Sequence, residues 1–184
     1  MANADVLIQA GHEGRTDGKT GAVGPLGKEI EWTPIVADAA VRHLRGAGLR
    51  VLRKKAALEG VDDVKIALFI HFDGADDPCD SRASIGYDDG SDRSAADAWR
   101  ELYSRFWPFG FQPDNFTSNL SRYYGFDHVR TTDAELVLEL GEITCRKQAE
   151  WLKPRLEWLG LLVAHFACAR LGSDAIPLPK PFKE

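Results

Sequence analysis

Short apolar runs and helical stripes alternate along this chain. Asp5 to Ala10 (DVLIQA), Leu49 to Lys54 (LRVLRK), Ile66 to Phe72 (IALFIHF) and Glu135 to Leu140 (ELVLEL) read as strands, the last two apolar enough to be buried on both faces. A weaker fifth strand lies near Gly86 in IGYDD. Thr33 and Pro34 form an N-cap and first-turn pair, after which Val36, Ala40 and Leu44 keep helical spacing until Gly46 and Gly48. Ser91 to Trp107 sets Ala95, Trp99, Leu102, Tyr103 and Phe106 on one helical face, and Arg146 to Leu171 carries Leu156, Leu159, Val163 and Phe166 at similar spacing. These stripes are most simply core. The alternation predicts a single-domain α/β fold, an open, mainly parallel twisted sheet with helices on both faces. The domain runs over residues 1–172, and SDAIPLPKPFKE, residues 173–184, reads as a proline-rich tail.

Composition narrows the picture without choosing a chemistry. With 184 residues, 44% of them hydrophobic, the chain is long enough for one well-packed core and short for two. A net charge of -5 argues against a nucleic-acid partner, because phosphate binding relies on clustered Lys and Arg. Cys79, Cys145 and Cys168 are odd in number and widely spaced, with no CxxC pair, so reduced thiols are expected. The start, MANADVLIQAG, lacks the basic and apolar regions of a secretory signal, and no run approaches the length of a membrane span. The expectation is synthesis in the cytoplasm, unless a leader has been removed.

The stretch LIQAGHEGRTDGKTGAVGPLGKE, Leu7 to Glu29, invites two chemistries. Gly18, Lys19 and Thr20 suggest a nucleotide-binding loop, but Glu13 stands where that motif needs glycine, and Gly21, Gly24, Pro25 and Gly27 forbid the helix that must follow. Metal chemistry fits better. His12 follows the first strand, His71 lies in the carboxyl end of the third, and Glu139 ends the apolar run of the fourth, so all three meet at the edge where open α/β sheets build their sites. Burying such groups is costly unless they share a partner. Two imidazoles and a carboxylate suit zinc, whose catalytic sites take three protein ligands and leave a fourth position to water. Glu29, Glu31 and Asp73 are all available as the third ligand. Glu139 would then be the base that takes a proton from the attacking water and passes it to a leaving amine, which describes an amide hydrolase.

VLIQAGHEG, GAVGPLGKEIEWTPIVADAAVRHLRGAGLRV, ALFIHFDG and ELVLELGEI together resemble the zinc-dependent N-acetylmuramoyl-L-alanine amidases of the amidase_3 type, over Val6 to about Trp158. The resemblance implies that His12, Glu29 and His71 hold zinc and that Glu139 is the catalytic glutamate; its register favours Glu29 over Glu31. It also makes Arg130, in HVRTT, a candidate for contact with the stem peptide. Glu13, Glu142 and the Phe72-Asp73-Gly74 segment depart from the family pattern, and the stretch from Arg53 to Val64 is short. The implied substrate is peptidoglycan, cut between N-acetylmuramic acid and L-alanine. A bare catalytic domain of this kind would suit a phage or prophage lysin acting on the wall after release. Two other readings keep the same residues: a zinc peptidase that cuts within the stem peptide, and a wall-binding module without turnover. Were the base elsewhere, His128 is the next residue to consider.

Overall fold

The computed structural model describes residues 3–16 and 18–182, so the first two residues of the predicted domain and the last two of the proline-rich tail lie outside it. In chain order the elements are β1 (Val6–Ala10), a small hairpin of β2 (Val23–Gly24) and β3 (Gly27–Lys28), α1 (Glu29–Gly46), β4 (Val51–Lys54), β5 (Asp62–Asp73) and β6 (Ser84–Gly86). Then come α2 (Arg93–Ser104), α3 (Ser118–Ser121), a 3-10 turn over Tyr124–His128, β7 (Val129–Glu142), α4 (Arg146–Leu152) and α5 (Leu156–Arg170). The main sheet has the order β4-β1-β5-β7-β6, parallel except for β6.

The two faces of the sheet are covered unequally. Val6, Ile8, Ile66, Leu68, Ile70, Leu136 and Leu138 point to the side that carries α1, α2 and α5, where the large core lies. Gly160 allows α5 to press onto α1, since a Cβ there would stand 2.5 Å from the Val36 carbonyl oxygen. The alternate residues Leu7, Ala67, Phe69 and Val137 meet a smaller cluster closed by Leu120 and Phe126 from α3 and the 3-10 turn. Side chains alternate along a strand, so Gln9, His71 and Glu139, two residues beyond Leu7, Phe69 and Val137, emerge on this thinly covered side.

Several elements differ from the sequence expectation, each for a tertiary reason. β5 and β7 are longer than their apolar runs because the parallel ladder continues through polar residues, starting with Asp62 opposite Val129. Helix α1 starts at Glu29, and Thr33 is not its cap: the buried Thr33 hydroxyl donates to the Gly11 carbonyl at 2.6 Å, while the Glu31 carboxylate accepts from the Lys28 N–H at 3.3 Å. Pro34 therefore sits inside the helix, with no N–H for the Ile30 carbonyl. The expectation of reduced thiols is also overturned. Cys79 and Cys145 form a disulfide, 66 residues apart in sequence with Cα atoms 4.6 Å apart, because the neighbouring strands β5 and β7 deliver their following loops side by side. Cys168 is a buried free thiol.

Candidate active site

Parallel pairing sets His71 and Glu139 side by side as Cα partners near the ends of β5 and β7. β1 reaches the same edge, where the Gly11 N–H donates to the Ile70 carbonyl at 2.9 Å. A Cβ on Gly11 would collide with the His71 ring, so glycine is what lets that ring lie against the chain. His12 follows with φ 61°, a left-handed conformation that is uncommon and strained for a residue with a side chain. Its Nδ1 is 2.7 Å from the Lys19 carbonyl, which leaves Nε2 facing Glu29, 3.5 Å from Oε2. The glycine-rich loop with its GKT thus serves to orient His12.

Glu29 is buried at the start of α1. Its Oε2 accepts from the Ala22 N–H at 2.9 Å, and its Oε1 accepts from the Phe72 N–H at 3.1 Å and lies 2.9 Å from His71 Nδ1. One ligand atom from each of His12, Glu29 and His71 falls within 4.8 Å of the others. Burial would raise the Glu29 pKa, but the hydrogen bond and charge of His71, with the charge of His12, outweigh it and hold the carboxyl below its ordinary value.

Glu139 stands beside this trio in a contrasting state. Burial, reinforced by the negative charges of Glu29 and Asp73, pushes its pKa well above the ordinary range. Its Oε2 is buried with no hydrogen-bond partner. A buried orphan oxygen of this kind is costly and marks a place where something else belongs. Two imidazoles and a carboxylate form a donor set zinc accepts in catalytic sites, and a cation among them would relieve the repulsion that Glu139 feels from Glu29. The residues fit the metal.

The site opens into a cleft of about 590 Å³ on the thinly covered face, lined by His12, His71 and Glu139 with Arg15, Arg122 and Tyr123 among others. The remaining candidates are not brought together with them. Glu31 is exposed and caps α1. Asp73 borders the cleft but accepts from the Ser81 hydroxyl and the Gly74 N–H, and burial raises its pKa. Arg130 lies at the opposite end of β7, 75% exposed and 3.8 Å from Asp63; nine residues of strand separate it from Glu139, roughly 30 Å at the usual rise. His128, at that same far edge, is 2.8 Å from the Gly60 carbonyl. The cations at the cleft are Arg15 and Arg122, which the sequence reading passed over although Arg15 follows His12 by three residues in the same loop. Glu142 is buried and accepts from the Cys79 and Ser81 N–H groups, each at 2.8 Å, so it organises the loop after β5.

No family model matches the sequence, and no curated protein does. Solved structures do match. The chain superposes on N-acetylmuramoyl-L-alanine amidase AmiC2 of Nostoc punctiforme with a TM-score of 0.70 at 17% identity, covering 91% of this chain and 96% of that one. The fold is that of the N-acetylmuramoyl-L-alanine amidases. The catalytic domain of the amidase CwlV from Bacillus (Paenibacillus) polymyxa var. colistinus gives a TM-score of 0.68 at 17% identity, with 91% and 97% covered. The catalytic domain of the CD27L endolysin targeting Clostridia difficile gives 0.67 at 12% identity, with 93% and 98% covered. The fold of these neighbours is present here over nearly their whole length, at sequence identities of 12–17%.

Proposed function

We propose that this protein is a zinc-dependent peptidoglycan hydrolase that cuts the amide bond between N-acetylmuramic acid and the L-alanine of the stem peptide. One observation carries the reading: on an amidase fold, the orphaned carboxylate oxygen of Glu139 stands beside the convergent donors of His12, Glu29 and His71 at the floor of an open cleft. His12 Nε2, the Glu29 carboxylate and His71 Nδ1 would hold the metal, which when bound supplies Lewis-acid polarisation of water and of the scissile carbonyl. Glu139 takes the proton of the attacking water. Burial and the charges of Glu29 and Asp73 favour its protonated form in the metal-free protein, and a cation held by Glu29 would offset that repulsion and leave Glu139 as the carboxylate that accepts. The same carboxyl then hands the proton to the departing alanine nitrogen. Arg15 and Arg122 give the cleft positive charge to meet the free carboxylates of a stem peptide, the role first expected of Arg130.

The Cys79–Cys145 bridge supports a working place in an oxidising compartment, as at the cell wall. Among the described residues, no helix is long and apolar enough to cross a membrane. Digestion of purified peptidoglycan with zinc-loaded protein, read by mass spectrometry, tests the proposal. Intact stem peptides with a free L-alanine amine, together with peptide-free glycan, are expected, and stripping the metal should stop their release. Fragments cut within the peptide would move the reaction to a stem peptidase, and wall binding without products would make the chain a binding module.

A further inference from the structure

The donor nitrogen of His71 is selected by a hydrogen-bond relay that begins far from the cation site in sequence. The Ala56 carbonyl can only accept, so the Tyr124 hydroxyl bonded to it must donate. Tyr124 therefore accepts from the Gln9 side chain, 2.8 Å away, which identifies that atom as Nε2. The amide so oriented turns Oε1 to Tyr123, whose hydroxyl donates to it at 2.7 Å. With its proton committed there, Tyr123 can only accept from His71 Nε2 at 2.9 Å. Reversing any link leaves an unmet group around Gln9, which is fully buried. The neutral His71 ring then carries its proton on Nε2 and turns the Nδ1 lone pair to Glu29 Oε1, 2.9 Å away. A cation must stand between two such acceptors: a proton in the metal-free protein, which makes His71 a charged donor to Glu29, and the metal once it is bound.

We propose that Tyr123, oriented by Gln9 and Tyr124, is a positioning residue that fixes the Nε2–H tautomer of His71 and reserves Nδ1 for the metal. Tyr123 precedes the 3-10 turn, on the thinly covered face, and its ring also stands edge-on to His71 at 5.2 Å. The inference rests on the cation reading of the site but not on which bond is cut. Outer partners of this kind typically change metal affinity 10- to 100-fold.

The test is zinc titration against a chromophoric chelator, with melting curves of the metal-free proteins and long-range proton–nitrogen spectra of the histidine rings in zinc-loaded protein. Tyr123→Phe should lose about 10- to 100-fold in zinc affinity while its metal-free form still melts cooperatively. Gln9→Glu keeps an acceptor for the Tyr123 hydroxyl and should bind zinc at least as tightly as the wild type, with the Tyr124 hydroxyl free to turn to the new carboxylate. In wild-type protein the spectra should place the ring proton on Nε2. A proton on Nδ1, wild-type affinity in Tyr123→Phe, or an equal loss in Gln9→Glu would each overturn the relay while leaving the cation site standing. A wild-type protein that takes up no zinc would sink both.

Discussion

Glu139 and Glu29 line one pocket, yet they are prepared for different tasks. Glu29 is saturated with donors and kept ionised, whereas Glu139 has an unpartnered oxygen and is pushed toward protonation by burial and by Glu29 itself. Glu139→Gln retains shape and removes the proposed base, so zinc content and melting temperature should persist while muropeptide release falls by ~10² to 10⁴. Loss of zinc along with activity would make Glu139 a ligand instead. Glu29→Ala is expected to weaken zinc binding by about tenfold or more, whereas Glu31→Ala removes only an exposed hydrogen bond to the Lys28 N–H at the start of α1 and should cost about 0.3–1.5 kcal/mol of stability. Equilibrium dialysis and thermal melts on the two variants separate these effects, and a reversed pattern would reassign the ligand.

At the level of elements, the site depends on how the loops after β5 and β7 are tied together. The Cys79–Cys145 bridge joins them, and Glu142 adds hydrogen bonds to Cys79 and Ser81 while Thr144 receives the Ala75 N–H at 3.1 Å. A bridge closing so long a loop typically contributes about 2–4 kcal/mol. The double variant Cys79→Ser/Cys145→Ser should therefore melt lower, by about 2–4 °C for each kcal/mol lost in a domain of this size. Peptidoglycan digestion at 25 °C should persist, because the remaining hydrogen bonds still hold the loop. An unchanged melting point would mean the bridge contributes nothing in solution, and lost digestion would give it a direct part in shaping the cleft. Glu142, a departure from the family pattern in sequence, is explained by this same loop.

Across the whole molecule, the edge of the sheet that carries the candidate site has an acidic counterpart near the start of β7. Burial and the charges of Asp88 and Asp92 raise the Glu135 pKa to about 8, and burial with the charges of Asp88, Asp89 and Asp133 raises Asp92 to about 6. Both folded values exceed the ordinary carboxylate range, so between about pH 4 and pH 8 the folded state binds more protons than the unfolded one. The stability these groups provide is complete below that window and is lost as pH rises through it. Glu135→Gln should accordingly raise the melting temperature at pH 8, with little change at pH 4, and calorimetry at the two values checks the sign. A gain at pH 4 equal to that at pH 8 would show that the repulsion is not what the substitution relieves.

The short apolar runs IALFIHF and ELVLEL were enough to place His71 and Glu139 at strand ends, and the stripes of α1, α2 and α5 announced the helices that form the main core, because both signals are written in residues near one another along the chain. Its place just after the first strand marked His12 in the same way, the resemblance then singled out Glu29, and the structure brings their donor atoms together with those of His71. Contacts between distant segments lay beyond that reach. Thr33 reads as a helix cap until Gly11 arrives from β1 to accept its proton, and Cys79 and Cys145 read as free thiols until β5 and β7 pair. Arg130 was a candidate only through the resemblance of HVRTT, and the extended strand β7 carries it and Glu139 to opposite edges of the sheet. Gln9, Tyr123 and Tyr124 carry no local pattern at all. Their roles arise only when β1 and the segment before β7 meet over the thin face, since a hydrogen bond depends on position in space and not on separation along the chain.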